Sequence, residues 1–276
     1  MEHVNLARRA GRTFVVVVLA ITALIVPSSP GGLAAATAAS KGGPRPTIVL
    51  VHGDWADASS WNGVIERLQR RGYTVVAPPN PLRGPITNDA PHLASYLQTI
   101  TGPIVLVAHS YGGFVITNAA TGNTNVKALV YIAAFALDQG ESLASISAQF
   151  PDSDLGASIL PRPYPGGTDL YIRPDLFRSA FAADLPRATT DVMAATQRPL
   201  GDLAFGEPSG PPAWATIPSW YLVAGADNAV GTANERFMAR RMHATTVVAK
   251  GASHIVMLSQ PHKVTRLILD AATRRR

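Results

Sequence analysis

Six short apolar segments recur along the chain, and each is continuous rather than alternating with polar residues. They are Thr47–Val51, Thr74–Ala77, Ile104–Ala108, Ala128–Ala133, Trp220–Ala224 and Thr245–Ala249. Continuous apolar runs of this length are typical of strands buried on both faces of a parallel sheet. The pattern therefore predicts at least six buried strands.

Between these segments, apolar residues recur three and four positions apart, which is the spacing of one helical face. Three such stripes are Trp61, Val64, Ile65 and Leu68; Leu93, Tyr96, Leu97 and Ile100; and Val264, Leu267, Ile268 and Ala271. Strands that alternate with helices favour an α/β fold with a mostly parallel sheet flanked by helices.

The alternation stops over residues 136–217. This stretch carries ten prolines and a set of aromatic residues that includes Phe177, Phe181 and Trp214. It is too long and too apolar for a plain loop, so we expect an inserted helical lid. The alternative is an ordinary continuation of the sheet with poor periodicity.

Another apolar segment, TFVVVVLAITALIV, occupies residues 13–26, after three arginines and before prolines and small residues. This order is typical of a secretory signal peptide. A membrane-spanning helix needs about 20 apolar residues, so we expect no stable membrane anchor. An A-x-A motif at residues 36–38 predicts a signal peptide over 1–38 and a secreted mature domain over 39–276.

The composition of the chain excludes several classes of structure and chemistry. Of the 276 residues, 47% are apolar and 15% charged, which is typical of a globular protein and not of a disordered one. The absence of cysteine excludes disulfides, thiolate metal sites and a cysteine nucleophile. The net charge of +6 owes much to arginines near the two ends of the chain. No basic stripe interleaved with aromatics is present, so we expect no nucleic-acid partner.

The strongest chemical motif is the segment VLVAHSYGG, in which Ser110 follows a predicted strand and precedes a predicted helix. A serine held on a tight turn between strand and helix is a nucleophile elbow. The residue two before the serine is Ala108 instead of the usual glycine, and alanine is small enough for the turn. We therefore predict that Ser110 is a nucleophile.

A serine nucleophile needs a base and an acid to orient that base. His254 follows the last predicted strand, at the carboxyl edge of the sheet where α/β folds place their sites. Asp227 follows the preceding strand, and Asp138 is the alternative acid. The chain order Ser110, Asp227, His254 is that of α/β hydrolases.

Acyl transfer also needs donors for the developing oxyanion. The backbone N–H of Tyr111 is one candidate, and the N–H of Asp54, in the loop after the first strand, is the other. We expect the Asp54 carboxylate to point away, since a negative side chain would oppose an oxyanion.

His52 and His109 are expected to be structural. We expect Trp55, Phe177, Phe181 and Trp214 to line the substrate pocket.

With these residues in place, the chain resembles the α/β-hydrolase superfamily, in particular its plant methyl esterases, hydroxynitrile lyases and small bacterial esterases. The resemblance extends from Thr47 to Ala272. The motifs that carry it are Val51-His52-Gly53 with Ser59-Ser60-Trp61, Pro81-Leu82-Arg83, His109-Ser110-Tyr111-Gly112-Gly113 and the segment SHIVMLSQP at residues 253–261.

The resemblance implies a Ser-His-Asp triad, formed here by Ser110, His254 and Asp227, with no metal and no organic cofactor. Related hydroxynitrile lyases carry a threonine and a lysine where this chain has Gly53 and Ile255, so esterase activity is favoured over cyanide elimination. Related dehalogenases and epoxide hydrolases carry an aspartate in place of the nucleophilic serine.

The sequence thus predicts a secreted carboxylic-ester hydrolase that acts on small to medium hydrophobic esters. One alternative is a non-catalytic protein that binds a small molecule in the same pocket. Another is a cofactor-free perhydrolase or haloperoxidase that uses the same triad. The sequence leaves the natural substrate and the oligomeric state open.

Overall fold

A computed structural model describes residues 44–150 and 152–274. The predicted signal peptide lies outside these residues. Within them, no helix combines the length and the apolar character needed to cross a membrane.

A six-stranded parallel sheet forms the centre of the protein. Its strands are β1 (Thr47–Val51), β2 (Val75–Val76), β3 (Ile104–Ser110), β4 (Val126–Ala134), β8 (Ser219–Ala224) and β9 (Thr245–Ala249). They lie in the order β2-β1-β3-β4-β8-β9, and every neighbouring pair is parallel. The predicted α/β fold with a mostly parallel sheet is therefore confirmed.

Successive residues of a strand point to opposite faces, and both faces of this sheet are covered. In β1, Ile48 and Leu50 belong to one core layer, whereas Val49 and Val51 belong to the core layer on the opposite face. The continuous apolar runs of the sequence follow from this two-sided burial.

Eleven α-helices occur in the residues that the structure describes. Those that flank the sheet are α1 (Asn62–Gln69), α2 (Ala90–Gln98), α3 (Tyr111–Ala119), α9 (Thr232–Arg241), α10 (Val256–Ser259) and α11 (Pro261–Thr273). The other five are α4 (Leu143–Ser147), α5 (Leu155–Ser158), α6 (Pro174–Phe181), α7 (Arg187–Thr196) and α8 (Leu203–Gly206).

These five helices lie between β4 and β8, in the segment 136–217 that we call the insertion. The insertion contains the expected short helices and also three strands that the sequence did not predict: β5 (Ile159–Tyr164), β6 (Gly167–Ile172) and β7 (Leu200–Gly201). They form an antiparallel sheet in the order β5-β6-β7. Two prolines fall in β5, which is tolerated because β5 is an edge strand.

Candidate active site

Ser110 ends β3, and α3 begins at the next residue. Its backbone has φ 55° and ψ −131°, a conformation that residues with a side chain rarely adopt. Close contacts hold this turn in place. A Cβ atom at Gly113 would lie 2.5 Å from the carbonyl oxygen of Phe135. The predicted elbow is therefore a sharp turn that only a small residue at position 113 permits.

The loop after β1 presses against the same turn. A Cβ atom at Gly53 would lie 2.5 Å from the Cβ atom of Ser110 and 3.2 Å from its Oγ atom. Any side chain at position 53 would thus collide with the nucleophile. Gly53 allows the loop that carries Asp54 to reach the serine hydroxyl.

Ser110, His254 and Asp227 form one continuous hydrogen-bonded chain. The Oγ atom of Ser110 lies 2.8 Å from Nε2 of His254, and Nδ1 of His254 lies 2.6 Å from Oδ2 of Asp227. All three residues are buried, with exposures of 2%, 0% and 2%. With Nδ1–H donating to the carboxylate, Nε2 is free to accept the serine proton.

The Asp227 carboxylate is held on its second oxygen by two backbone donors. Oδ1 accepts hydrogen bonds from the N–H groups of Ala229 at 2.7 Å and Val230 at 2.9 Å. Burial alone would raise the pKa of Asp227, but His254 and these donors outweigh it and lower the pKa to about 2. The alternative acid, Asp138, instead accepts from the N–H of Gln139. The structure therefore brings Asp227 to His254.

A second buried carboxyl group, on Glu235 of α9, lies behind Asp227. Its Oε2 atom accepts a hydrogen bond of 2.9 Å from the N–H of Ala224. Burial together with the Asp227 charge raises the pKa of Glu235 well above its usual value. Its other oxygen, Oε1, has no hydrogen-bond partner among the described residues.

Sequence reasoning missed Glu235. The signal that marks it is its place on the buried face of α9, three and four residues before the buried Met238 and Ala239. A charged residue on such a face needs a partner, because an unpaired buried charge is costly.

The expected direction of the Asp54 side chain is wrong. The carboxyl group is 3% exposed and points at the nucleophile, with Oδ1 accepting a hydrogen bond of 3.2 Å from Oγ of Ser110. Burial raises its pKa to about 6, against opposing effects of His254, its own backbone N–H and Ser110. This side chain belongs to the residue whose backbone N–H is a predicted oxyanion donor.

The other predicted oxyanion donor, the backbone of Tyr111, is anchored by its side chain. The Tyr111 hydroxyl donates a hydrogen bond of 2.6 Å to Oδ2 of Asp89. Asp89 is fully buried and also accepts from the backbone N–H groups of Arg83 and Gly84. Sequence reasoning missed this anchor, which ties the start of α3 to the loop before α2.

His52 and His109 are both fully buried and both have structural partners. His52 accepts at Nε2 from the N–H of Asn80 at 3.0 Å. His109 donates from Nε2 to the carbonyl oxygen of His254 at 3.1 Å, and burial holds its pKa well below the usual range. His109 is therefore a neutral residue that positions the backbone of His254.

Two of the predicted pocket aromatics lie near the triad. The ring of Phe181 stands 4.9 Å from the ring of His254, between centroids, and 6.0 Å from the ring of Trp55. The indole N–H of Trp55 donates a hydrogen bond of 2.8 Å to the carbonyl oxygen of Leu170 in the insertion. Phe177 is fully buried and packs behind Phe181, at 5.2 Å between centroids.

The expectation that Trp214 lines the same pocket is wrong. Its indole N–H donates to the carbonyl oxygen of Leu137 at 3.0 Å. Its ring borders a cavity lined also by Ser219, the first residue of β8. The amino end of β8 is opposite the edge from which Asp227 projects, so Trp214 lies away from the nucleophile.

Within the residues that the structure describes, no group of three or more histidine or carboxylate side chains is placed to hold a metal ion. The chemistry that the arrangement supports directly is nucleophilic attack by Ser110, with His254 as base. The insertion and the loop after β1 cover this site.

Comparison with protein-family models places residues 48–267 in the family described as "Alpha/beta hydrolase family". The chain belongs to the alpha/beta hydrolase family. The fold and the family predicted from the sequence motifs are thus confirmed. The order of the triad residues in this alpha/beta hydrolase is the order expected for the family.

Among curated proteins, this alpha/beta hydrolase is similar to the carbendazim hydrolyzing esterase of Nocardioides sp., with 29% identity over 125 residues. That match covers 41% of this chain and 52% of that enzyme, about half the length of the relative. A pyrethroid hydrolase of Sphingobium wenxiniae is 26% identical over 245 residues, which cover 82% of this chain and 87% of that enzyme.

Among solved structures, polyneuridine aldehyde esterase is similar to this chain, with a TM-score of 0.70 and 21% identity. The similarity covers 82% of this chain and 99% of that structure. At this level of identity, the likeness supports the shared fold and says nothing of the substrate.

Proposed function

We propose that this alpha/beta hydrolase cleaves carboxylic esters of small to medium hydrophobic substrates through an acyl-enzyme on Ser110. The observation that carries the proposal is the continuous hydrogen-bonded chain from Ser110 through His254 to Asp227. Relatives named as esterases and hydrolases support ester cleavage in general.

In the proposed reaction, His254 takes the proton of Ser110 while Oγ attacks the ester carbonyl carbon. Asp227 stabilises the resulting imidazolium, and the backbone amides of Asp54 and Tyr111 hold the oxyanion. His254 then gives its proton to the leaving alcohol. A water molecule, activated by the same base, releases the acid and restores Ser110.

Burial supports the hydrophobic part of the proposal. Ser110 is only 2% exposed, and the ring of Phe181 packs against His254. An apolar ester that reaches Ser110 would be in contact with apolar groups of the protein such as the ring of Phe181. A highly charged substrate would lose its hydration without compensation.

We test the proposal with a series of p-nitrophenyl esters of graded acyl length, comparing the wild-type protein with Ser110→Ala. Loss of the nucleophile should lower kcat by about 10,000-fold or more, because the triad residues act as a unit. Melting curves of both proteins control for folding. Wild-type turnover no faster than that of Ser110→Ala would contradict the proposal, and tight ester binding without turnover would favour the binding-protein alternative.

We also propose that the protein is exported. The support is the arginine-flanked apolar segment at 13–26 and the A-x-A motif at 36–38.

A further inference from the structure

The Asp54 carboxyl group touches the nucleophile, yet the reaction proposed above uses only the backbone N–H of this residue. Its Oδ1 atom lies 3.2 Å from Oγ of Ser110. The side chain is 3% exposed and therefore has little access to water. Whether this buried carboxyl group is ionised is therefore important, because an ionised carboxylate is costly to bury without a cation.

No Lys or Arg side chain of the described residues forms an ion pair with Asp54. The guanidinium group of Arg198 lies 3.4 Å from Nε2 of His52, on the loop that carries Asp54. The titratable groups around Asp54 are His52 on its own loop, Tyr111 at the start of α3 and His254 after β9. The Tyr111 hydroxyl is occupied by Asp89.

Burial is the largest influence on Asp54 and raises its pKa to about 6, so its neutral form is populated in mildly acidic solution. In that form, the carboxyl group carries an O–H donor. A protonated carboxyl in an apolar site is a strong hydrogen-bond donor to a developing oxyanion.

We propose that the side chain of Asp54 is a further catalytic residue, whose protonated carboxyl group donates a hydrogen bond to the carbonyl oxygen of the ester as Ser110 attacks. This inference rests on the proposed ester hydrolysis.

The geometry carries this assignment. A carbonyl carbon poised for attack lies about 3–3.5 Å from the nucleophile, and its oxygen lies near the donors of the oxyanion hole. The Asp54 carboxyl is at hydrogen-bond distance from Oγ, and the N–H of the same residue is the predicted oxyanion donor. A carbonyl group attacked by Oγ therefore comes within reach of the Asp54 carboxyl.

In the step itself, a bond forms between Oγ of Ser110 and the carbonyl carbon, and the carbonyl π electrons move to oxygen. The serine proton passes to Nε2 of His254. Asp54 keeps its proton and holds the oxyanion by a hydrogen bond. When the tetrahedral intermediate collapses, the electrons return, the C–O bond to the alcohol breaks, and His254 protonates the leaving alkoxide.

The ionised form of Asp54 has the opposite effect. Its carboxylate accepts the Ser110 O–H, in competition with His254, and repels the oxyanion. Activity that depends on neutral Asp54 should therefore fall as the pH rises through about 6. An asparagine at position 54 keeps a donor at every pH, whereas an alanine has neither donor nor charge.

The test measures kcat/KM on one neutral ester for full-length wild-type protein, Asp54→Asn and Asp54→Ala, at about pH 5 and about pH 8. At the lower pH, Asp54→Asn should stay within a few fold of wild type. Asp54→Ala should fall by about 10- to 100-fold, as expected for the loss of an oxyanion donor. At the higher pH, Asp54→Asn should exceed wild type by about tenfold, because the wild-type side chain is then ionised.

Melting temperatures give a readout that does not depend on turnover. The folded wild-type protein must hold a buried charge only at the higher pH. The melting temperature of Asp54→Asn, relative to that of wild type, should therefore be higher at about pH 8 than at about pH 5. An unchanged difference between the two would overturn the proposal.

An Asp54→Ala variant as active as wild type at both pH values would also overturn the proposal. Ser110→Ala separates this failure from failure of the proposed function. If wild-type protein hydrolyses the ester and Ser110→Ala does not, esterase activity stands and only the role of the Asp54 side chain is refuted.

Discussion

Ser110, the proposed nucleophile, is held in place by its neighbours. A positive φ of 55° at a serine costs on the order of 1–3 kcal/mol, and such strain persists only where the surroundings fix it. Gly53 and Gly113 provide that fixation, since each lets a backbone or side chain approach where a Cβ atom would collide. Ala108 is fully buried, and its small size suits the turn as a glycine would.

Asp227 and Asp138 offer a direct comparison of two candidate acids. Asp227→Asn should lower kcat by about 10,000-fold, because an amide that donates to Nδ1 favours the wrong imidazole tautomer. Asp138→Asn should change kcat by less than about twofold, since Asp138 accepts from the N–H of Gln139 and has no hydrogen bond to His254 among the described residues. Steady-state kinetics on one ester, with melting curves for both variants, check this. A larger loss in Asp138→Asn would identify Asp138 as the acid.

Glu235 can be tested by variants that separate its hydrogen bond from its volume. Glu235→Gln keeps an acceptor for the N–H of Ala224, so we expect kcat within about threefold of wild type. Glu235→Leu has similar volume but removes this hydrogen bond and leaves the buried N–H of Ala224 without its acceptor. It should lower the free energy of unfolding by about 1–3 kcal/mol and kcat by about tenfold.

Urea unfolding and single-ester kinetics measure the two effects of the Glu235 variants. Equal loss of activity in Glu235→Gln and Glu235→Leu would mean that the carboxyl group itself, and not an acceptor at this place, is required.

The sequence was sufficient to predict that Ser110, His254 and Asp227 come together, because each follows a recognisable strand and their order along the chain is typical of the family. It was insufficient for the side chain of Asp54, whose direction depends on a loop in which the next residue, Trp55, has φ 54°. It was also insufficient for Glu235, whose partner is defined by how α9 packs against the end of β8.

At the scale of elements, buried strands were predicted correctly from the sequence, whereas exposed strands were missed. The predicted bounds of β1 and β9 agree with the structure, and β3 and β4 run only slightly further than predicted. The strands β5 and β6 were missed, because Pro161 and Pro163 interrupt one of them and neither is fully apolar. An exposed edge strand has no continuous apolar signal, so its pairing partner decides its conformation.

The indole of Trp55 connects the loop after β1 to the insertion, and a matched pair of tryptophans tests what that contact does. Trp55→Phe removes the hydrogen bond to Leu170, and Trp214→Phe removes a similar bond to Leu137 far from the nucleophile. Each change should lower the free energy of unfolding by about 1 kcal/mol. Only Trp55→Phe should shift kcat/KM toward longer esters, since only it loosens the cover over Ser110.

The measurement for the two tryptophan variants is kcat/KM across esters of graded acyl length, together with urea unfolding. A parallel shift of preference in both variants, or in neither, would mean that the contact between Trp55 and the insertion does not govern access.

At the scale of the whole molecule, the site exists only once distant parts of the chain have come together. Ser110 and His254 are separated by 144 residues, and they project from β3 and from the loop after β9. Parallel strands end at one edge of the sheet, which brings these residues and Asp227 into contact. Unfolding of the sheet should therefore abolish activity and stability together.

The proposed export adds a prediction on the intact chain. Cleavage after Ala38 would remove the apolar segment at 13–26 and leave β1, which begins at Thr47, intact. Mass spectrometry of the secreted protein should therefore find an amino terminus near Ala39. Ala38→Phe should block cleavage and leave a longer, membrane-associated precursor, because the site requires a small residue. A wild-type protein that keeps Met1 and stays with the membrane would contradict export by a cleaved signal.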